Sequence, residues 1–330
     1  DPRGNPNLRD KRVRPVQRKR LSGTYLALII SIIVFSILGP GFFSIDNAMS
    51  VVRQGAVLTL VSFGMTLAIL MGSTDLSLGA VVGFAGIIAG KAMQLGLPLS
   101  LQILAALLAG TLSGLCNGLL ISYVKLPPFV ASFGMMGAAH GLALVLSDGR
   151  AIWGFPQGIR YLSNGDLLGL PFPLWMVGIA CLILHLVLKK TSFGISIYAI
   201  GGNEHAAALS GIDVARNKTI AYTIGGLMAG LGGILMVSRM NSAQAIAGTG
   251  YEFDAIAATV VGGTSLKGGR GGAASTLIGA LLISVLRNGL NMMGISVYVQ
   301  IVFIGALIVL AFIVDSLREK MGYARSGVMT

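Results

Sequence analysis

Residues 101–124 read LQILAALLAGTLSGLCNGLLISYV, a run without Asp, Glu, Lys or Arg. As a helix rising about 1.5 Å per residue it would cover the hydrocarbon core of a bilayer, about 30 Å thick. Working outward, nine more apolar stretches occur at 23–38, 51–71, 78–95, 129–146, 172–188, 219–237, 253–266, 273–290 and 298–314. The expectation is an all-α integral membrane protein, a polytopic bundle of about ten transmembrane helices, with 253–266 the shortest candidate. Composition agrees: 54% of the residues are hydrophobic, only 11% are charged, and the mean hydropathy is +0.82. That charge content is less than half of the roughly 25% that soluble domains use to cover a water-facing surface. The 47 glycines suit membrane helices, where small residues let backbones approach closely. Cys116 and Cys181 lie in apolar runs without metal-ligand spacing, and the three histidines are scattered, which excludes a disulfide scaffold and a zinc protein.

The net charge of +12 does not point to nucleic acid, because the basic residues are not gathered beside stacking aromatics. Eight precede the first apolar run, in a tail over 1–22 that is expected to be cytoplasmic and to be disordered or lie on anionic headgroups. A secretory signal peptide would look similar, but no small-x-small cleavage site follows at Gly39-Pro40-Gly41, so the first run reads as an uncleaved span. The chain opens on Asp1 rather than Met, so some N-terminal sequence is expected to be missing. With the N-terminus inside and ten crossings, 18 of the 24 Lys and Arg fall on the cytoplasmic side. This divides the chain into the tail, a transmembrane domain over 23–315 and a cytoplasmic C-terminal tail over 316–330. The long connection 147–171 falls outside and carries Trp153, Phe155 and Tyr161, as an aromatic anchor at the interface or a docking surface. The other long connection, 189–218, falls inside.

Within it, residues 202–212 read as a compact helix. Asn203 is a good N-cap, Glu204 suits the first turn, Ala206, Ala207 and Ala208 propagate, and Gly211 terminates. Such a helix fits a groove on a soluble partner, with Leu209 and Ile212 as anchors, or lies on the membrane as an amphipathic connector. The pattern Gly202-Asn203-x-x-Ala206-Ala207-x-x-Ser210-Gly211-Ile212 resembles the coupling loop of permease subunits of bacterial ABC importers of the ribose/monosaccharide type. Similar to that family are also Gly72-Ser73-Thr74-Asp75-Leu76-Ser77-Leu78-Gly79, Gly114-x-x-Asn117-Gly118 with Pro127-Pro128-Phe129, and Asn288-Gly289-Leu290-Asn291. So is the long passage from Gly248 through Glu252 and Asp254 to Gly262-Gly263 and Gly271. The resemblance spans about 42–315. Thr74, Phe253 and His140 depart from the family pattern, so solute preference does not transfer.

The resemblance implies a type II ABC importer-like fold in the bacterial inner membrane, with two copies forming the path. It further implies an ATP-binding subunit docked on residues 202–212 and an external solute-binding protein, with no cofactor of the chain's own. No phosphate-binding loop occurs in this sequence. Polar groups at membrane depth should face protein or a watery path. Asn117 and Asn291 offer donor and acceptor together, which suits sugar hydroxyls, or else bond between helices. Asn288 and Phe129 join them as path candidates. Asp75 is expected to cap the third span, and Glu252 and Asp254 to stabilise the start of the eighth. Gly262 and Gly263 are motif positions at a cytoplasmic turn. The rival functions are a branched-chain amino acid permease and an ion-coupled secondary carrier, which would need buried carboxylates in its spans.

Overall fold

The computed structural model describes the backbone over residues 17–326 and side chains over 23–310 and at 313; the remainder of both expected tails lies outside these residues. The chain runs α1 (Gln17–Leu38), α2 (Ile45–Leu70), α3 (Leu78–Gln94), α4 (Leu99–Ser122) and α5 (Pro128–Ser147). A connection then holds β1 (Ile152–Trp153), α6 (Gln157–Asn164), β2 (Asp166–Leu167) and β3 (Leu170–Pro171). It continues as α7 (Phe172–Lys190), α8 (Ser192–Gly202), α9 (Glu204–Leu209), α10 (Val214–Met240) and β4 (Ser242–Ala243). Last come α11 (Tyr251–Val261), α12 (Ala273–Met292) and α13 (Val297–Ser326). Among the described residues, α2, α4, α5, α7, α10 and α12 are long and apolar enough to cross a membrane, and α1, α3 and α13 hold shorter apolar stretches. The protein is an all-α membrane bundle. Because α1 starts at Gln17, the expected boundary after residue 22 falls inside a helix.

The core is built on α2, where Leu60, Val61, Phe63, Met65, Leu67, Ile69 and Leu70 are all at 0% exposure. Helix α10 packs against it and against α4, and glycine makes this possible. A Cβ on Gly114 would strike the Tyr222 carbonyl oxygen, and one on Gly226 would strike that of Gly110. The two backbones therefore touch directly, gaining dispersion contact that larger side chains would prevent. By contrast α5 buries only small residues and α7 only five of its residues, and together they leave Phe133, Leu142, Val145, Leu182 and Ile183 exposed. These faces form the apolar outside of the bundle.

The bundle has two ends. At one, Arg53 of α2 pairs with Asp166 at 2.8 Å, and β4 pairs antiparallel with β1 in the register Ile152↔Ala243 and Trp153↔Ser242. Helix α6 docks there through Ser163, whose N–H donates to Ser238 Oγ. The connection expected as an interfacial segment is thus folded onto the end of α10. At the other end lie α8, α9 and the 262–272 loop. Helix α8 was not anticipated as a separate element within 189–218.

The eighth crossing departs from expectation. Helix α11 has 11 residues, about 16 Å, and cannot span a bilayer core alone. The distance from the α6 end is covered by residues 242–250, non-helical beyond the short β4, packed along α3. Cβ atoms on Gly83 and Gly79 would run into the carbonyl oxygens of Ala245 and Gly248. Irregular backbone at membrane depth is tolerated where it packs on protein, and α3's glycines let the Ala245 and Gly248 carbonyls approach closely. The crossing is therefore a run of turns, with Ser242, Ala243, Ala245 and Gly248 buried and Ile246 60% exposed, followed by a half-helix.

Candidate functional site

Where α2 ends, Gly72 takes a positive φ of 75° and the chain makes a buried loop before α3. Asp75, 2% exposed, would be costly to bury without donors. Its Oδ1 accepts from Ser77 N–H at 3.0 Å, Ser77 Oγ–H at 2.6 Å and Asn117 Nδ2 at 3.3 Å; Asn117 also donates to Ser77 Oγ at 2.9 Å. Tyr222 of α10 donates its hydroxyl to Ser73 Oγ at 3.0 Å. Asp75 does not cap α3 as expected. Ser77 holds the N-cap position in αR conformation and without a side-chain cap, so the aspartate organises the loop instead. An Asp followed two residues later by Ser is the local Asx-turn spacing, and that signal was readable.

On the broken crossing, Glu252 is 4% exposed, with Oε1 accepting from Gly250 N–H at 3.2 Å and Oε2 facing Gly79 without a hydrogen-bond partner. Asp254 pairs with Arg287 of α12, one guanidinium nitrogen lying 2.6 Å from Oδ2 and 2.8 Å from Oδ1. Thr24 of α1 donates to the carbonyl of Val261, the last residue of α11, at 2.6 Å. Thus α12 holds a first-turn carboxylate of the half-helix and α1 satisfies a carbonyl at its far end. Sequence reasoning does not reach Arg287, because its partner is 33 residues away.

The four expected path residues do not form one cluster. Asn117 is fully buried, with Oδ1 left over. Phe129, 59% exposed, stacks on Phe133 at 5.8 Å near the start of α5. Asn288, 6% exposed, has an unpartnered Oδ1. Asn291 is exposed and accepts from Gln300 Nε2 of α13 at 2.8 Å. No group of three or more His, Cys, Asp or Glu able to hold a metal occurs among the described residues.

At the opposite end from α6, residues 202–212 fold as the sequence indicates. Asn203 Oδ1 accepts from Ala206 N–H at 2.9 Å. Gly211, at φ 85°, donates its N–H to Ala208, and Ile212 donates to Ala207, which is the Schellman pattern. Glu204 pairs with Lys218 of α10 at 2.7 Å. Ala207 alone of α9 is buried, while Ala206, Ala208, Ser210 and Leu209, the last 78% exposed, face outward. The result is a rigidly capped helix presenting small residues and one leucine. Gly262 and Gly263 start the 262–272 loop beside α12; a Cβ on Gly262 would meet the Ser275 carbonyl.

The sequence places this bundle in a family of membrane transport permeases. The family model described as branched-chain amino acid transport system / permease component matches residues 47–312, and the chain belongs to that family. It is 45% identical over 300 residues to the ribose import permease protein of Bacillus subtilis, covering 90% of this chain and 92% of that one. It is 35% identical to the D-allose transport system permease protein of Escherichia coli over 300 residues, 90% and 92% of the two chains. To the L-arabinose transport system permease protein of the same organism it is 35% identical over 305 residues, 91% and 93%. No solved structure matches it.

Proposed function

We propose that this chain forms the membrane path of an ATP-driven importer for a monosaccharide of the ribose kind, in the bacterial inner membrane. An ATP-binding subunit grips α9, an external solute-binding protein docks at the α6 end, and a second permease copy, identical or paralogous, completes the path. The start of α1 and the end of α13 then lie on the cytoplasmic side with α9 and most of the basic residues. Chemistry on ATP belongs to the partner. The relatives named for ribose, allose and arabinose support a sugar over a branched-chain amino acid. For a secondary carrier, Asp254 is held by Arg287 and Asp75 Oδ1 already accepts three hydrogen bonds, so Glu252, with Oε2 unpartnered, is the buried carboxylate it would have to use.

The carrying observation is α9, fully capped, tied to α10 and turning Leu209 outward. Its small-residue face fits a groove on a soluble partner. ATP-driven closure of the partner would displace α9 and shift the bundle between two packings. For the path, Phe129 and Asn291 are the exposed candidates, and Asn288 brings a free acceptor. Asn117 would meet solute only in a packing that opens the α3–α4 contact.

The test is reconstitution with the ATP-hydrolysing and binding-protein partners, using D-ribose. Leu209→Asp leaves the fold intact and is expected to cut ribose-stimulated ATP hydrolysis at least tenfold. Stimulation at the wild-type level would overturn the docking assignment.

A further inference from the structure

Helix α8 ends at Gly202, and the next residue is the N-cap of α9, so a displacement of α9 reaches the end of α8 with almost no intervening chain. That end sits on a junction. Gly269 N–H donates to the carbonyl of Leu70, the last residue of α2, at 2.9 Å, tying the 262–272 loop to α2. Gly201 lies directly over this hydrogen bond: a Cβ there would strike both the Leu70 oxygen and the Gly269 nitrogen. Gly268, at φ 87°, has Gly201 O and Gly72 N each 2.8 Å from where its own Cβ would be. Three residues before Gly201, Tyr198 donates its hydroxyl to Gly271 O at 2.8 Å. Burial pushes this phenol's pKa further up from its ordinary value.

Two functional breaks meet here. The 262–272 loop is the inner continuation of α11, the half-helix of Glu252 and Asp254, and Gly72 opens the loop organised by Asp75 and Asn117. Packed backbones without intervening side chains transmit displacement because nothing between them can rearrange to absorb it.

We propose that Gly201 and Tyr198 are positioning residues for transport, linking the coupling helix to the broken eighth crossing and to the α2–α3 break. The inference rests on the reading of α9 as the motor-docking helix. A push on α9 moves α8, and α8 moves the 262–272 loop together with the ends of α2 and α11. An Ala at Gly201 separates α8 from the Leu70–Gly269 bond, so the motor still docks and turns over while the path responds poorly.

The measurement is the number of ATP hydrolysed per D-ribose taken up by proteoliposomes holding the full complex. Damage to folding lowers both quantities together, whereas loss of transmission raises their ratio. For Gly201→Ala the ratio is expected to rise at least fivefold with co-purification of the ATPase unchanged; for Gly178→Ala on α7, where a Cβ meets nothing within 4 Å, it stays at the wild-type value. Should Gly201→Ala fail to accumulate, Tyr198→Phe carries the test, expected to raise the ratio at least twofold. A wild-type ratio in Gly201→Ala, or in Tyr198→Phe where that variant stands in, overturns the proposal while leaving the docking assignment standing. If the wild-type complex itself shows no ribose-dependent hydrolysis, the functional reading beneath it fails instead.

Discussion

Arg287 of α12 reaches Asp254 in the first turn of α11 and holds both of its carboxylate oxygens with one nitrogen, at 2.6 and 2.8 Å. Asp254 is 3% exposed, so the arginine makes burial of this charge possible. Removing one partner of a buried pair leaves an uncompensated charge and costs about 3–5 kcal/mol; because Arg287 is 34% exposed, the lower end applies. Arg287→Met is expected to lower the unfolding temperature of the detergent-solubilised protein sharply, and adding Asp254→Asn to recover part of the loss. No recovery would mean that the arginine acts through packing alone.

The α4–α10 contact gives a contrast within one residue type. Gly114→Ala forces a methyl onto the Tyr222 carbonyl, and overpacking of this kind costs about 1–3 kcal/mol. Gly134→Ala on α5, where nothing lies within 4 Å, is expected to leave thermal unfolding unchanged. Equal effects in an unfolding assay would contradict the backbone contact.

Most of this architecture is legible in the amino-acid order. Nine apolar runs appear as helices because each carries its own hydrophobic length. The eighth is half hidden: Ser242 to Gly250 has no apolar run and packs on α3 because Gly79 and Gly83 leave room for the carbonyls of Gly248 and Ala245, a tertiary fact. The caps of α9 are local, through Asn203 and Gly211, and were readable in full. Pairings that bridge helices, Asp254 with Arg287, Asn117 with Asp75 and Tyr222 with Ser73, are set by packing across many residues and leave no local pattern.

Asn117 supplies two of the hydrogen bonds that hold the 72–77 loop. Asn117→Ala is expected to cost about 1–3 kcal/mol, the penalty for stranding buried polar groups. Asn117→Asp should cost more, since it sets a second carboxylate against Asp75. Unfolding temperatures ordered wild type, Ala, Asp from high to low would agree; an Asp variant matching wild type would not.

Gly211 adopts a left-handed φ of 85°, which a β-branched side chain resists. Gly211→Val is expected to loosen α9 and weaken co-purification of the ATP-binding subunit severalfold, without changing the yield of the permease. Undiminished co-purification would show that the Schellman cap is dispensable for docking.

The central claim is that this chain is a path powered from outside itself. Purified protein in liposomes, given a solute gradient to build and no other subunit, is predicted to accumulate no D-ribose, and to do so once the ATP-hydrolysing subunit, the binding protein and ATP are supplied. Accumulation against a gradient by the chain alone, with no nucleotide present, would contradict it.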